Sequence, residues 1–240
     1  SGLGSRSSSI YVQEQVRSRS ITLEQMTDNA ARVPLFEDPG TRFRYGISAT
    51  ILGRLVEVWS GMPYEEFLEQ RVFAPLGMTD TVFWADSSRV NRLATVYRPD
   101  ENGDLQEYQI EEIPFTQPVP LIEGGVGLLS STLDFAKFSQ LFLNGGELNG
   151  QRILQPDTVE LMMENSIADE LLPIGRGGYM AASGWTLGGF AYAMHPENYD
   201  HTVSQGEVWW DGSAGTRFWI DPVNNMVTVI MAQVSPASGN

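Results

Sequence analysis

Cysteine is absent from this chain, and lysine occurs once, at Lys137. The first absence excludes disulfides and thiolate-held metals, and it fits a cytoplasmic or a periplasmic protein equally. The second bears on any chemistry that needs an ammonium group. Histidine is nearly missing too, with only His195 and His201. No apolar run approaches the roughly 18 residues that span a bilayer, so the sequence reads as soluble, with no membrane span. No basic stretch followed by an apolar core opens the chain, so no signal peptide is visible. The net charge of −15 repels phosphate backbones and anionic lipid, which argues against a nucleic-acid partner. It suits a well-solvated acidic surface. No His-Glu-x-x-His or EF-hand spacing occurs, so neither a metal nor a cofactor is expected.

What is present is enough apolar sequence, 42% of 240 residues, to bury a sizeable core. Residues 1–20 read as a loop and a short helix. Thr22 is placed to cap a helix beginning near Leu23. Pro34 and Pro39-Gly40 break the chain before Tyr45. Ser48 is expected to cap the next helix, whose apolar stripe is Ile51, Leu52, Leu55, Val56 and Trp59. Ser60-Gly61 ends it. Pro63 opens a second helix with Tyr64, Phe67, Leu68 and Val72 on one face, stopped by Pro75 and Gly77. Residues 82–123 are loop-rich, with a hairpin signal at Asn102-Gly103. Ser131 or Thr132 starts a helix that ends at Asn144-Gly145-Gly146, Asn149-Gly150 marks a second hairpin, and Pro156 opens another helix. From about residue 183 the period becomes extended, through Trp185–Tyr192, Val208–Trp210, Thr216–Ile220 and Met226–Met231. The expected class is α+β with an antiparallel sheet flanked by helices. The division expected is a helical and loop-rich region over 1–182 and C-terminal strands over 183–240, together one catalytic unit.

Two constellations could carry chemistry. Tyr45 stands just ahead of a helix, in Tyr45-Gly46-Ile47-Ser48. A tyrosine acts as a general base only as phenolate, and a phenol of ordinary pKa, about 10, is ionised in roughly one molecule per thousand at pH 7. A cationic neighbour must supply about 4 kcal/mol. The only lysine, Lys137, lies inside a helix pattern and has Asp134 three residues before it, so an exposed structural role suits it. The second constellation is Trp209-Trp210-Asp211-Gly212-Ser213-Ala214-Gly215. Its small residues would let a substrate approach the backbone, as oxyanion stabilisation by a main-chain N–H requires. A tight turn between two core strands would show the same residues. Other chemistries fit poorly. Gly212-Ser213-Ala214-Gly215 lacks the spacing of a Gly-x-Ser-x-Gly elbow. Gly124-Gly125-Val126-Gly127 lacks the strand and helix context for phosphate. Ser1 could serve as an N-terminal nucleophile.

The ordered set Pro34-Leu35, Pro39-Gly40, Phe43-Arg44-Tyr45, Ser60-Gly61, Pro75-Leu76-Gly77-Met78-Thr79-Asp80-Thr81, Gly125-Val126-Gly127 and Leu143-Asn144-Gly145-Gly146 resembles the class C β-lactamase-like, penicillin-binding serine hydrolases. The branch it is most similar to is the family VIII carboxylesterases, and the likeness runs over nearly the whole chain. It implies a β-lactamase/transpeptidase-like fold. It also implies a catalytic role for Tyr45, an oxyanion-hole N–H at Ser213, and substrate contacts at Trp210, Asp211 and Gly212, in the place of the family's third motif. Trp209, Trp185 and Tyr192 are further pocket candidates. In this register Ser1 becomes an ordinary loop serine. The family's Ser-x-x-Lys is not found here. The resemblance puts it upstream of residue 1, on a companion N-terminal polypeptide, and also leaves the family's final helix missing after Pro236. A nicked enzyme, a split enzyme and a truncated chain all fit. Asp211 replaces a glycine or threonine, which disfavours anionic substrates and favours a neutral small-molecule ester. The same machinery serves β-lactamases, D-aminopeptidases and acyltransferases. A non-catalytic penicillin-fold binding domain is the alternative of another class.

Overall fold

A computed structural model of the chain describes residues 1–172, 174, 180, 182–199 and 201–236. The stretch after Pro236, where the resemblance leaves a final helix missing, lies outside the described residues. The chain divides into two compact units. The first comprises residues 1–74, 81–91 and 111–129, the second residues 75–80, 92–110 and 130–240.

The first unit is helical. It holds α1 (Ser9–Gln13), α2 (Leu23–Ala31), α3 (Ser48–Ser60) and α4 (Tyr64–Leu68). Thr22 caps α2 through a full capping box. Its hydroxyl accepts the Gln25 main-chain N–H at 3.2 Å, and the Gln25 side-chain oxygen Oε1 accepts the Thr22 N–H at 2.9 Å. Tyr11, Val16, Leu23, Met26, Ala30, Val33, Ile47 and Leu121 form one buried cluster. A second gathers Phe83, Val119 and Ile122 with Tyr64 and Leu68.

Three expectations fail or hold only in part in this unit. Ile47, not Ser48, is the N-cap residue of α3, and it makes no side-chain cap bond. The Ser48 hydroxyl instead meets that of Ser1 at 2.8 Å. The apolar stripe of α3 is also buried only in part, with Ile51 packed on the core and Leu55 and Val56 half-buried. Leu52 and Trp59 are 58% and 77% exposed, while Thr50 and Gly53 are buried. The reason is close packing: a methyl group on Gly124 would lie 2.4 Å from the Ala49 carbonyl oxygen, and one on Gly53 3.4 Å from the Gly124 nitrogen. Small residues are selected where backbones approach. The next helix departs from the expected face as well. A π-helical turn, Glu69–Phe73, follows α4 before a last turn, α5 (Ala74–Leu76). Its extra residue advances the inward face from Leu68 to Phe73 and Leu76, leaving Val72 half-buried.

Arg17 joins the ends of this unit. Its guanidinium meets Glu123 at 2.6 Å and Glu111 at 3.1 Å, and both carboxylates are buried. The Thr50 hydroxyl donates to Glu123 at 3.2 Å, and Arg6 reaches Glu111 at 2.8 Å.

The second unit contains the sheet. Two small hairpins come first: β1 (Tyr97–Pro99) with β2 (Leu105–Glu107), then β3 (Glu147–Leu148) with β4 (Gln151–Arg152). They turn at Asn102-Gly103 and at Asn149-Gly150, as expected. Strands β5 (Ser183–Trp185), β6 (Ala191–Ala193), β7 (Val208–Asp211), β8 (Thr216–Asp221) and β9 (Met226–Met231) form one antiparallel meander in chain order. Helix α6 (Thr132–Leu143) packs on β8 and β9, and α7 (Pro156–Met163) contributes Val159 to the same core. Ser131 caps α6 by accepting the Asp134 N–H at 3.2 Å. Phe135, Phe142, Phe190 and Phe218 interlock in this core, with ring centroids 5.0–5.5 Å apart. The outer edge of β5 is covered: Asn165 accepts the Trp185 N–H at 3.1 Å, and the Trp185 carbonyl accepts the Ser166 N–H at 2.8 Å. No helix among the described residues is long and apolar enough to cross a membrane.

Glu207, buried at the entry to β7, holds its proton unusually well. Burial, and then the Asp221 carboxylate, push its pKa from 4.5 up to about 7, while His201 and the Ser204 N–H offset part of the rise. Burial would raise Asp221 too, but hydrogen bonds from Asn224, Ser204 and Val223 hold it below the usual range. The folded chain therefore keeps a proton on Glu207 that the unfolded chain releases as pH rises above 4.5. The resulting stability is present in acid and lost as pH climbs to about 7. Urea unfolding followed across this window should show a decline on the order of 1–2 kcal/mol, which Glu207→Gln flattens. An unchanged slope in that variant would assign the decline to another group.

Candidate active site

Tyr45 lies three residues ahead of Ser48, at the N-terminal end of α3, and is 55% exposed. Its surroundings fix the backbone from both sides. On one side Arg44 grips Glu37, with Nε 2.6 Å from Oε2 and the second nitrogen on Oε1, and lies 4.8 Å from the Phe36 ring centre. The Arg44 guanidinium holds the Glu37 carboxyl below its usual range. On the other side the Ile47 N–H donates to the Gly4 carbonyl at 3.1 Å, and the Gly4 N–H donates to the Tyr11 hydroxyl at 3.1 Å. A methyl group on Gly46 would stand 2.4 Å from the Gly4 oxygen and 2.7 Å from that of Leu3. Only glycine fits there, so Tyr45 is presented from a seat made of main-chain atoms. The positive end of the α3 dipole, worth roughly 0.3–1 kcal/mol, favours negative charge at such a position. Ser1 accepts the Leu3 N–H at 3.3 Å besides meeting Ser48, as a loop serine does.

In the second unit, Trp210, Asp211, Gly212 and Ser213 all belong to the β7–β8 hairpin. Asp211 pairs with Arg217 across the ladder. The Gly212 N–H donates to the Thr216 carbonyl at 2.8 Å, and the Gly215 N–H to the Gly212 carbonyl at 2.9 Å. Gly215 takes φ +83°, which closes the three-residue loop with a glycine bulge. The turn leaves Ser213 exposed at its tip, and no group among the described residues accepts its N–H. A main-chain donor left unused in an exposed, braced turn is what an oxyanion can use. The tryptophans separate in role. Trp209 is buried, and its indole N–H donates to the Tyr199 hydroxyl. Trp210 is half-buried and meets Trp185 edge-on, with centroids 4.5 Å apart.

Lys137 is held by the fold. Its ammonium group bonds the Gly77 carbonyl and lies 2.9 Å from Asp134, a buried carboxylate that also accepts the Asp80 N–H at 2.7 Å.

The profile of one protein family, described as Beta-lactamase, matches residues 1–239. The chain belongs to the Beta-lactamase family. Protein Rv1367c of Mycobacterium tuberculosis (strain ATCC 25618 / H37Rv) is 29% identical over 214 residues, covering 86% of this chain and 52% of its own length. A protein of Escherichia coli (strain K12) with the provisional name D-alanyl-D-alanine carboxypeptidase is 28% identical over 242 residues, covering 89% of this chain and 50% of its own. The solved structure of EstCE1, described as a hydrolase with promiscuous acyltransferase activity, is similar with a TM-score of 0.81 at 23% identity. That match covers 98% of this chain and 64% of EstCE1. The chain thus spans about half the length of the curated relatives it matches. Its fold is the α+β, β-lactamase/transpeptidase-like fold of this family, as the motif order implied.

Proposed function

We propose that this chain is the larger part of a serine hydrolase that cleaves neutral esters through an acyl-enzyme. The observation that carries this reading is the half-exposed phenol of Tyr45, seated on main-chain atoms at the head of a helix in a chain of the Beta-lactamase family. In the proposed reaction a serine of a Ser-x-x-Lys segment, borne on polypeptide outside this chain, attacks the ester carbonyl. Tyr45, ionised beside the lysine of that segment, takes the serine proton and returns one to the leaving alcohol. The Ser213 N–H donates to the tetrahedral oxyanion; one such donor is typically worth roughly 3–4 kcal/mol. Water then releases the acid. Trp210, Asp211 and Gly212 border the substrate in this scheme, and Asp211 keeps anionic substrates away. Transfer of the acyl group to an acceptor other than water is the second reading, favoured by the description of EstCE1.

The test is a fluorophosphonate serine probe applied to the native assembly, this chain with the polypeptide that accompanies it. Labelling of the accompanying polypeptide is expected. Labelling of this chain would move the nucleophile here, and no labelling of a folded assembly would leave a binding domain; either result overturns the proposal.

A further inference from the structure

A cavity of about 280 Å³ opens in the first unit between the α4–π-turn segment and residues 81–86. Its apolar lining is Phe73, Val82, Phe83 and Trp84. The π turn shifts the inward face by one residue and so brings Phe73, buried in the fold, to the floor of this cavity. The rim carries charge of one sign only. Glu65, Glu66 and Glu69 stand on one side and Asp86 on the other, with no lysine or arginine among the lining residues. Arg89 pairs with Asp86. The other three carboxylates have no ion-pair partner among the described residues. Burial, and then the Glu66 and Glu57 carboxylates, push Glu65 above its usual range.

Aromatic faces and carboxylates share one preference. Ring quadrupoles attract cations by about 0.5–2 kcal/mol per contact, and an anionic rim adds to that in a partly enclosed, less polar site. A neutral apolar ligand would gain only from the floor, and an anion would be repelled by the rim. We propose that this cavity binds a small organic cation, an alkylammonium or quaternary ammonium group, with the head against Phe73, Phe83 and Trp84 and the charge facing Glu66 and Glu69. This site is independent of the ester chemistry assigned to Tyr45.

The experiment titrates choline, and separately its uncharged isostere 3,3-dimethylbutan-1-ol, into the protein. Amide NMR shifts of residues 65–73 and 81–86 are followed. Saturable shifts confined to these segments are expected, with choline about tenfold tighter, which is about 1.4 kcal/mol. The Glu66→Gln/Glu69→Gln variant should weaken choline about fivefold or more by loss of rim charge. The Glu101→Gln/Asp104→Asn variant, which removes equal charge from the β1–β2 turn, should leave it unchanged. Equal affinity for the two ligands overturns the proposal. So do equal losses in the two variants, which would assign binding to the net charge of −15, and so does the absence of saturable shifts in these segments.

Discussion

Replacing Tyr45 by phenylalanine is expected to cut ester turnover by the complete assembly about 10²–10⁴-fold, the range of a lost general acid–base group, while its unfolding midpoint stays put. The two halves of this expectation have separate causes. The ring is 55% exposed, and surface changes of one oxygen usually stay within about 0.5 kcal/mol of neutral. The rate loss follows from the proton that the serine must shed. An ordinary phenol falls short of ionisation at neutral pH by about 4 kcal/mol, and the α3 dipole returns no more than about 1 kcal/mol of that. A cation beside the phenol must supply the rest, and the one lysine of this chain is engaged with Gly77 and Asp134. In the proposed mechanism the ammonium group comes from the segment that brings the serine. Near-normal turnover by the phenylalanine variant would remove Tyr45 from the mechanism. A loss of turnover matched by a lower melting point would make it a structural residue.

The largest stability effect is expected at Arg17. Arg17→Met leaves Glu123 buried, with only the Thr50 hydroxyl as a partner among the described residues, and leaves Glu111 with one arginine fewer. Removing one side of a buried ion pair costs about 3–5 kcal/mol, a large part of the roughly 5–15 kcal/mol that a domain has in total. Adding Glu123→Gln to Arg17→Met should restore part of it, because the stranded charge is gone. Arg92→Met, which breaks an exposed pair with Asp80 at 2.6 Å, should cost less than about 1 kcal/mol. Urea midpoints of these variants settle the matter: equal losses at Arg17 and Arg92 would mean that burial of the Arg17 network contributes nothing.

Local chemistry makes much of this fold legible in the sequence. A threonine three residues before a glutamine specifies the start of α2, and Ser131 specifies that of α6. Asn149-Gly150, and Gly103 after Asn102, specify their hairpins because the left-handed turn conformation they take selects asparagine and glycine. The switch from helical to extended period near residue 183 announces the antiparallel meander as four runs, the first of which, Trp185–Tyr192, folds as two strands joined by a turn. Periodicity is half right at α3: it finds Ile51, Leu55 and Val56, but it also counts the exposed Leu52 and Trp59 and passes over Thr50 and Gly53, which pack because they are small. It misses the π turn, since one inserted residue changes no composition. The Arg17 network is illegible for another reason: its partners lie 94 and 106 residues away, and nothing local marks a glutamate as buried. At the candidate site, the motif order points to Tyr45 and to the Trp210–Ser213 turn. The glycine seat beneath the tyrosine shows only in three dimensions, although Gly46, directly after Tyr45, is its trace in the sequence.

That seat has an evolutionary consequence. A phenol propped by carbonyl oxygens and amide hydrogens owes its address to atoms that every residue possesses. Side chains elsewhere can drift without shifting it, so long as Gly46 stays bare and the Arg44–Glu37 pair and the Tyr11 hydroxyl keep their contacts. In the proposed reaction, such a scaffold lends one oxygen to different acids and alcohols by rebuilding only the walls around it.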